Sequence, residues 1–150
     1  MYRRHLLALL PFALLARPAA AFEVTRTEDE WRALLTDRQF RVLRLADTEG
    51  PDTSPLTYEN RAGTFHCAGC DLPLFASETK FESGTGWPSF WQPLKNAIAT
   101  ERDIGIMGIR TEVHCRRCGG HLGHVFTDGP QPTGLRYCLN GAAMTFQTTD

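Results

Sequence analysis

The segment His114-Cys115-Arg116-Arg117-Cys118-Gly119-Gly120 repeats, in weak form, the earlier His66-Cys67-Ala68-Gly69-Cys70, and this pairing decides how the chain is closed. Each copy reads as a strand end running into a turn. Two short knuckles that each present two thiolates are the usual form of a four-cysteine zinc site. Cys67, Cys70, Cys115 and Cys118 are therefore the expected ligands of one structural zinc per chain. Residues 71–114 separate the knuckles, and a metal joining them would oppose the entropy of closing that loop. The alternative is a pair of disulfides, which an oxidising compartment permits. A bridge inside Cys-x-x-Cys closes only a tiny ring, a form suited to redox chemistry more than to structure. His66 and His114 are alternative ligands, although strand alternation sends them to the face opposite the neighbouring cysteines.

Four cysteine ligands leave no open coordination position for water, so such a metal holds the fold and the chemistry must come from elsewhere. The fifth cysteine, in Arg136-Tyr137-Cys138-Leu139-Asn140, is the candidate nucleophile. Arg136 and Asn140 flank it by two residues on the same face of an extended segment, and the charge of Arg136 favours a thiolate. The competing reading is a small buried hydrophobe on a strand. His121-Leu122-Gly123-His124-Val125-Phe126 shifts the balance, because histidines three apart can converge in a turn or helical bend and donate a proton near neutral pH. Taken alone, the same pair reads as two satisfied surface or core histidines. Gly84-Thr85-Gly86-Trp87-Pro88-Ser89-Phe90-Trp91 adds an aromatic wall after a glycine-rich turn, which in isolation suggests core more readily than pocket.

The rest of the chain frames these motifs. With 150 residues, 42% of them hydrophobic, and a formal net charge of −1, it suits one domain and offers no electrostatic case for a nucleic-acid partner. Residues 1–21 differ in kind: Arg3, Arg4 and His5 precede an apolar run from Leu6 to Leu15, and Ala19-Ala20-Ala21 supplies small residues for cleavage. The run is too short to span a bilayer comfortably, which points to an export signal without stable membrane insertion. The mature protein, residues 22–150, is expected in the bacterial periplasm; Arg3-Arg4 also permits a twin-arginine route, although the fuller motif is missing. Thr27-Glu28-Asp29-Glu30 has the form of a capping box, with Trp31, Leu34 and Leu35 spaced for one helical face. A second helix is expected from near Thr36, carrying Phe40, Val42, Leu43 and Leu45. Beyond an irregular segment at 49–63, short β-prone runs follow at 63–66, 104–110, 121–126, 135–139 and 143–146. The expected fold is mainly β, a small antiparallel domain with short N-terminal helices and a zinc site.

In this order and spacing the motifs resemble the methionine sulfoxide reductase B family: Glu28 to Arg44, Cys67-Ala68-Gly69-Cys70, Gly86-Trp87-Pro88-Ser89-Phe90, Cys115-Arg116-Arg117-Cys118, His121 to Phe126 and Arg136 to Asn140. Together they cover nearly all of residues 22–150. The resemblance implies two small antiparallel sheets in a β-tent-like arrangement, closed at one end by zinc, and reduction of the R epimer of methionine sulfoxide, free or in proteins. It implies that Cys138 attacks the sulfoxide sulfur and becomes a sulfenic acid. His121 and His124 would supply the proton, Asn140 would orient the oxygen, and Trp87, Phe126 and Arg136 would form the substrate site.

One position departs from the family pattern. Many members carry a resolving cysteine in the glycine-rich turn, where this chain has Thr85. The sulfenic acid would then need an outside thiol, from a thioredoxin-like protein or a small molecule. Other function classes account for less. A zinc-ribbon binding module leaves Cys138 and both histidines without purpose; a zinc hydrolase or deaminase needs an open ligand position and a His-x-Glu that is missing before either knuckle. A thiol–disulfide oxidoreductase uses one Cys-x-x-Cys, and two at distant positions fit zinc better.

Overall fold

Both N-terminal helices begin where side chains can satisfy the free N–H groups of a first turn. In the computed structural model, which describes residues 22–149, α1 spans Glu28–Leu34 and α2 spans Asp37–Leu45. Thr27 Oγ1 accepts from Glu30 N while the Glu30 carboxylate accepts from Thr27 N at 2.7 Å; Thr36 and Gln39 reproduce the arrangement at α2. Trp31, Phe40, Val42 and Leu43 face the core. Leu34 and Leu45, expected on the packing faces, are exposed. The physical reason is length: α1 ends at Leu34 and the chain turns extended, so Leu35 takes the buried place. The export signal expected over residues 1–21 lies outside the described residues.

The remainder is mainly β, in two antiparallel sheets as expected. The smaller has the order β2 (Pro73–Ala76), β1 (Gly63–Cys67), β9 (Met144–Thr148). The larger runs β3 (Lys80–Phe81), β4 (Ser89–Phe90), β8 (Arg136–Leu139), β7 (His121–Phe126), β6 (Gly108–Cys115), β5 (Ile98–Gly105). Phe65, Phe75, Phe90 and Tyr137 bring the sheets together in an aromatic core, with ring centroids 4.6 Å apart for Phe75–Phe90 and 4.9 Å for Phe65–Phe90. Such geometry adds to the free energy of area burial.

One expected strand is corrected. Residues 104–110 do not form a single run; they are the tip of the β5–β6 hairpin, with Ile104 opposite Ile109 and Gly105 opposite Gly108. Gly108 has φ +94°, a left-handed conformation that costs glycine little and reverses the chain there. Ile104, Ile106, Met107 and Ile109 are accordingly exposed. Among the described residues no helix is long and apolar enough to cross a membrane.

Candidate active site and metal centre

The two knuckles fold alike, as their sequences suggest. Cys67 and Cys115 end β1 and β6; Asp71 N donates to Cys67 O at 2.8 Å and Gly119 N to Cys115 O at 2.9 Å. Asp71 and Gly119, each directly after the second cysteine, both have left-handed φ, +60° and +70°, so the two turns end in the same way. The four sulfurs converge: all lie within 4.8 Å of one another, with Cys67–Cys118 at 3.7 Å and Cys70–Cys115 at 3.5 Å. Sulfurs placed tetrahedrally at about 2.3 Å from a zinc ion are about 3.8 Å apart, so this cluster fits a closed structural zinc site. All four are free thiols, not the disulfides of the alternative reading. His66 binds Asp71 O through Nδ1 and His114 packs edge-on against Phe22; neither enters the cluster.

Cys138 sits mid-strand in β8, on the face opposite the buried Tyr137 and Leu139. Directly paired residues of antiparallel strands share a face with Cβ atoms about 5 Å apart. The pairings Ser89–Cys138, Cys138–His124, His124–Glu112 and Glu112–Glu101 therefore set one rung across five strands, from β4 to β5. His121 joins this face through a device the spacing alone did not disclose. The β6–β7 register shifts between Val113 and His114, adding one residue to β7 and reversing its alternation, so His121 and His124 point the same way. Their ring centroids are 5.5 Å apart. They converge on a bulged strand, not in the turn or helical bend expected. Gly123 at this bulge is required by close approach: a Cβ there would run into the backbone carbonyl of Cys138.

A cleft of about 120 Å³ opens over Cys138. Trp87, Phe126, His124 and Asn140 line it with Thr48 and Arg110; His121 and Arg136, expected at the site, are not among the lining residues. Trp87 is held by its Nε1–H donating to Glu49 O at 3.0 Å, and Asn140 is committed on both sides, accepting from Glu49 N at 3.0 Å and donating to Leu122 O at 3.1 Å. Arg136 makes a paired contact with Asp128, 2.9 Å at both nitrogens, and lies over the Phe126 ring at 4.4 Å. Burial pushes the Cys138 thiol up; the Thr85 hydroxyl and the Arg136 charge pull it down but do not prevail. Burial also lowers His124, with the Asp103 carboxylate opposing.

Residues that sequence reasoning missed hold this arrangement in place. Glu49 is buried in the segment expected to be irregular and extended; its carboxylate accepts from Gly141 N and from Ala142 N at 2.9 Å, so one residue anchors both the Asn140 turn and, through its carbonyl, Trp87. No local pattern marks it, because its partners are distant in sequence. Asp103 accepts from Arg110 at 2.7 Å and pairs with His124 Nε2 at 2.8 Å, and Glu112 pairs with His121 Nδ1 at 2.6 Å. Alternation would have placed Glu101, Asp103, Arg110 and Glu112 on one face had the hairpin at 105–108 been recognised.

A family model described as the SelR domain matches residues 35–148. The chain is 53% identical over 129 residues to the peptide methionine sulfoxide reductase MsrB of Pseudomonas putida (strain W619), covering 85% of this chain and 97% of that protein. It is 49% identical to the protein of the same name from Leptospira interrogans, over 84% of this chain and 97% of the other. A third, from Agrobacterium fabrum, is 49% identical over 83% and 93%.

Proposed function

From a chain that belongs to the methionine sulfoxide reductase B (SelR-domain) family, and so reduces methionine sulfoxide, we propose R-epimer reduction through a sulfenic acid on Cys138, regenerated by an external thiol. The observation that carries this reading is the placement of Cys138 under a cleft with His124 as its cross-strand neighbour. A nucleophile and a proton donor then act on one bound group.

The step balances without a further oxidant. Cys138 sulfur bonds to the sulfoxide sulfur, the oxygen is protonated from the histidine side, and Cys138–SH plus sulfoxide yields Cys138–SOH plus the thioether methionine. The thiol sulfur loses two electrons and the sulfoxide sulfur gains them. Trp87 and Phe126 supply apolar contact for the methyl carried by the sulfur, while the imidazoles and Asn140 lie on the polar side; that asymmetry supports a preference for one sulfoxide hand. Two external thiols, from a thioredoxin-like protein or a small molecule, return the sulfenic acid to the thiol with release of water and a disulfide.

The cysteine cluster supports one structural zinc held by Cys67, Cys70, Cys115 and Cys118, which would tie β1 to β6 and take no part in the redox step. Residues 1–21 carry the pattern of an export signal, which supports a periplasmic enzyme acting on oxidised proteins or free methionine sulfoxide. Amino-terminal sequencing of the protein from the periplasmic fraction should begin near Phe22. The decisive assay uses chirally resolved sulfoxides: the R epimer is expected to be consumed and the S epimer left nearly untouched, and equal turnover of both would overturn the proposal.

A further inference from the structure

The β5–β6 hairpin sets a carboxylate behind each imidazole of the site. Asp103 holds Nε2 of His124 at 2.8 Å and is itself held by Arg110. Glu112 holds Nδ1 of His121 at 2.6 Å, while Nε2 of that ring is buried with no hydrogen-bond partner among the described residues. The His121 side chain is 5% exposed, so this orphaned nitrogen is not turned to bulk water. Buried polar atoms are nearly always paired, and an exception on a ring 5.5 Å from that of the cleft-lining His124 calls for an explanation. Glu112 breaks a second local rule. It lies directly opposite Glu101, and like charges across a rung are unfavourable. Rules broken together at one place mark sites where function overrides packing.

We propose that Glu112 is a positioning residue for the reductive step, fixing His121 through Nδ1 so that Nε2 is the nitrogen that exchanges a proton with the site. A carboxylate on one imidazole nitrogen selects the tautomer and orients the ring, leaving the other nitrogen to take up a proton and pass it on. The proton given up by Nε2 ends on the sulfoxide oxygen, and the proton of the Cys138 thiol replaces it, so the overall step consumes none. Asp103 orients His124 in the same manner. The hairpin thereby acts as the outer frame of the proton-donating pair, with no contact between Glu112 and substrate. This inference rests on the reading of Cys138 as the nucleophile toward methionine sulfoxide.

The test uses the full zinc-loaded protein and a single turnover of R-methionine sulfoxide, alongside 15N spectra of the histidine rings. Glu112→Leu should slow methionine release about 100-fold at saturating substrate with little change in the half-saturating concentration. The His121 proton should no longer be confined to Nδ1. Glu112→Gln keeps an acceptor but not the charge and should fall between, about 10-fold slower with the tautomer retained. A wild-type rate in Glu112→Leu, or an unchanged His121 tautomer, overturns the proposal. Should Glu112→Leu lose zinc or its circular dichroism, the near-isosteric Glu112→Gln decides, and an unslowed rate overturns it. Failure of the wild-type protein itself to release methionine would refute the functional reading instead, while the ring spectra would still decide the Glu112–His121 relationship.

Discussion

Thr85 Oγ1 lies 3.9 Å from Cys138 Sγ, at the end of a hydroxyl chain that runs through Ser83 to Ser89. The glycine-rich turn thus reaches the proposed nucleophile but brings a hydroxyl, not a second thiol. Thr85→Cys should form a disulfide with Cys138 after one equivalent of sulfoxide, since a sulfur in that place needs only a small adjustment to reach bonding geometry. In the natural chain the same turnover should leave a sulfenic acid that dimedone traps. Mass spectrometry distinguishes the two; a disulfide from Cys138 to any of Cys67, Cys70, Cys115 or Cys118 in the natural chain would mean that the metal cluster resolves the intermediate.

Cys118→Ser should remove the metal and unfold the domain. Cys118 is buried against Cys67 across 51 residues of sequence, so the cluster closes the fold, and structural zinc contributes on the order of 10 kcal/mol in small modules. Elemental analysis with thermal unfolding checks this; a folded, active and zinc-free variant would contradict it.

Alkylation of Cys138 should depend on pH in a way that its surroundings dictate. Burial raises the thiol, so the rate of carboxymethylation should climb through a midpoint above the usual cysteine range of about 8.5. Asp128 disfavours the thiolate by its negative charge and also engages Arg136, which favours it. Asp128→Asn should lower the midpoint and speed alkylation several-fold at pH 7.5, and Arg136→Met should do the reverse. Identical profiles for all three proteins would show that burial alone sets the thiol.

Trp87→Ala should weaken binding and turnover by about tenfold or more, and erode the discrimination between epimers, while leaving zinc content unchanged. The indole lines the cleft and is fixed through Glu49 O, so its loss opens one wall without touching the cluster. A comparable loss of thermal stability with intact kinetics would make Trp87 a core residue.

Much of the framework was legible along the chain because its signals are short-range. The capping boxes at Thr27 and Thr36 depend on residues three apart, and the knuckles at 67–70 and 115–118 on a repeated local turn. The family resemblance brought Cys138, His124, Trp87, Phe126 and Asn140 to one place, and the structure sets all five around the same cleft. The hairpin at 105–108 was obscured by the apolar residues on both sides of its turn, which read as one strand although they are solvent-exposed.

By itself the sequence determined the helix starts, the mainly β character and the division of the cysteines into four paired and one apart, since each follows from neighbours a few residues away. Only the tertiary structure decided how His121 reaches the face of His124, which hangs on one extra residue in the β6–β7 register. It also decided that Glu49 anchors Trp87 and Asn140, and that Asp103 and Glu112 stand behind the imidazoles. These are pairings between strands and loops far apart in the chain, and strand register across a sheet is set by the packing of whole faces, which no local pattern encodes.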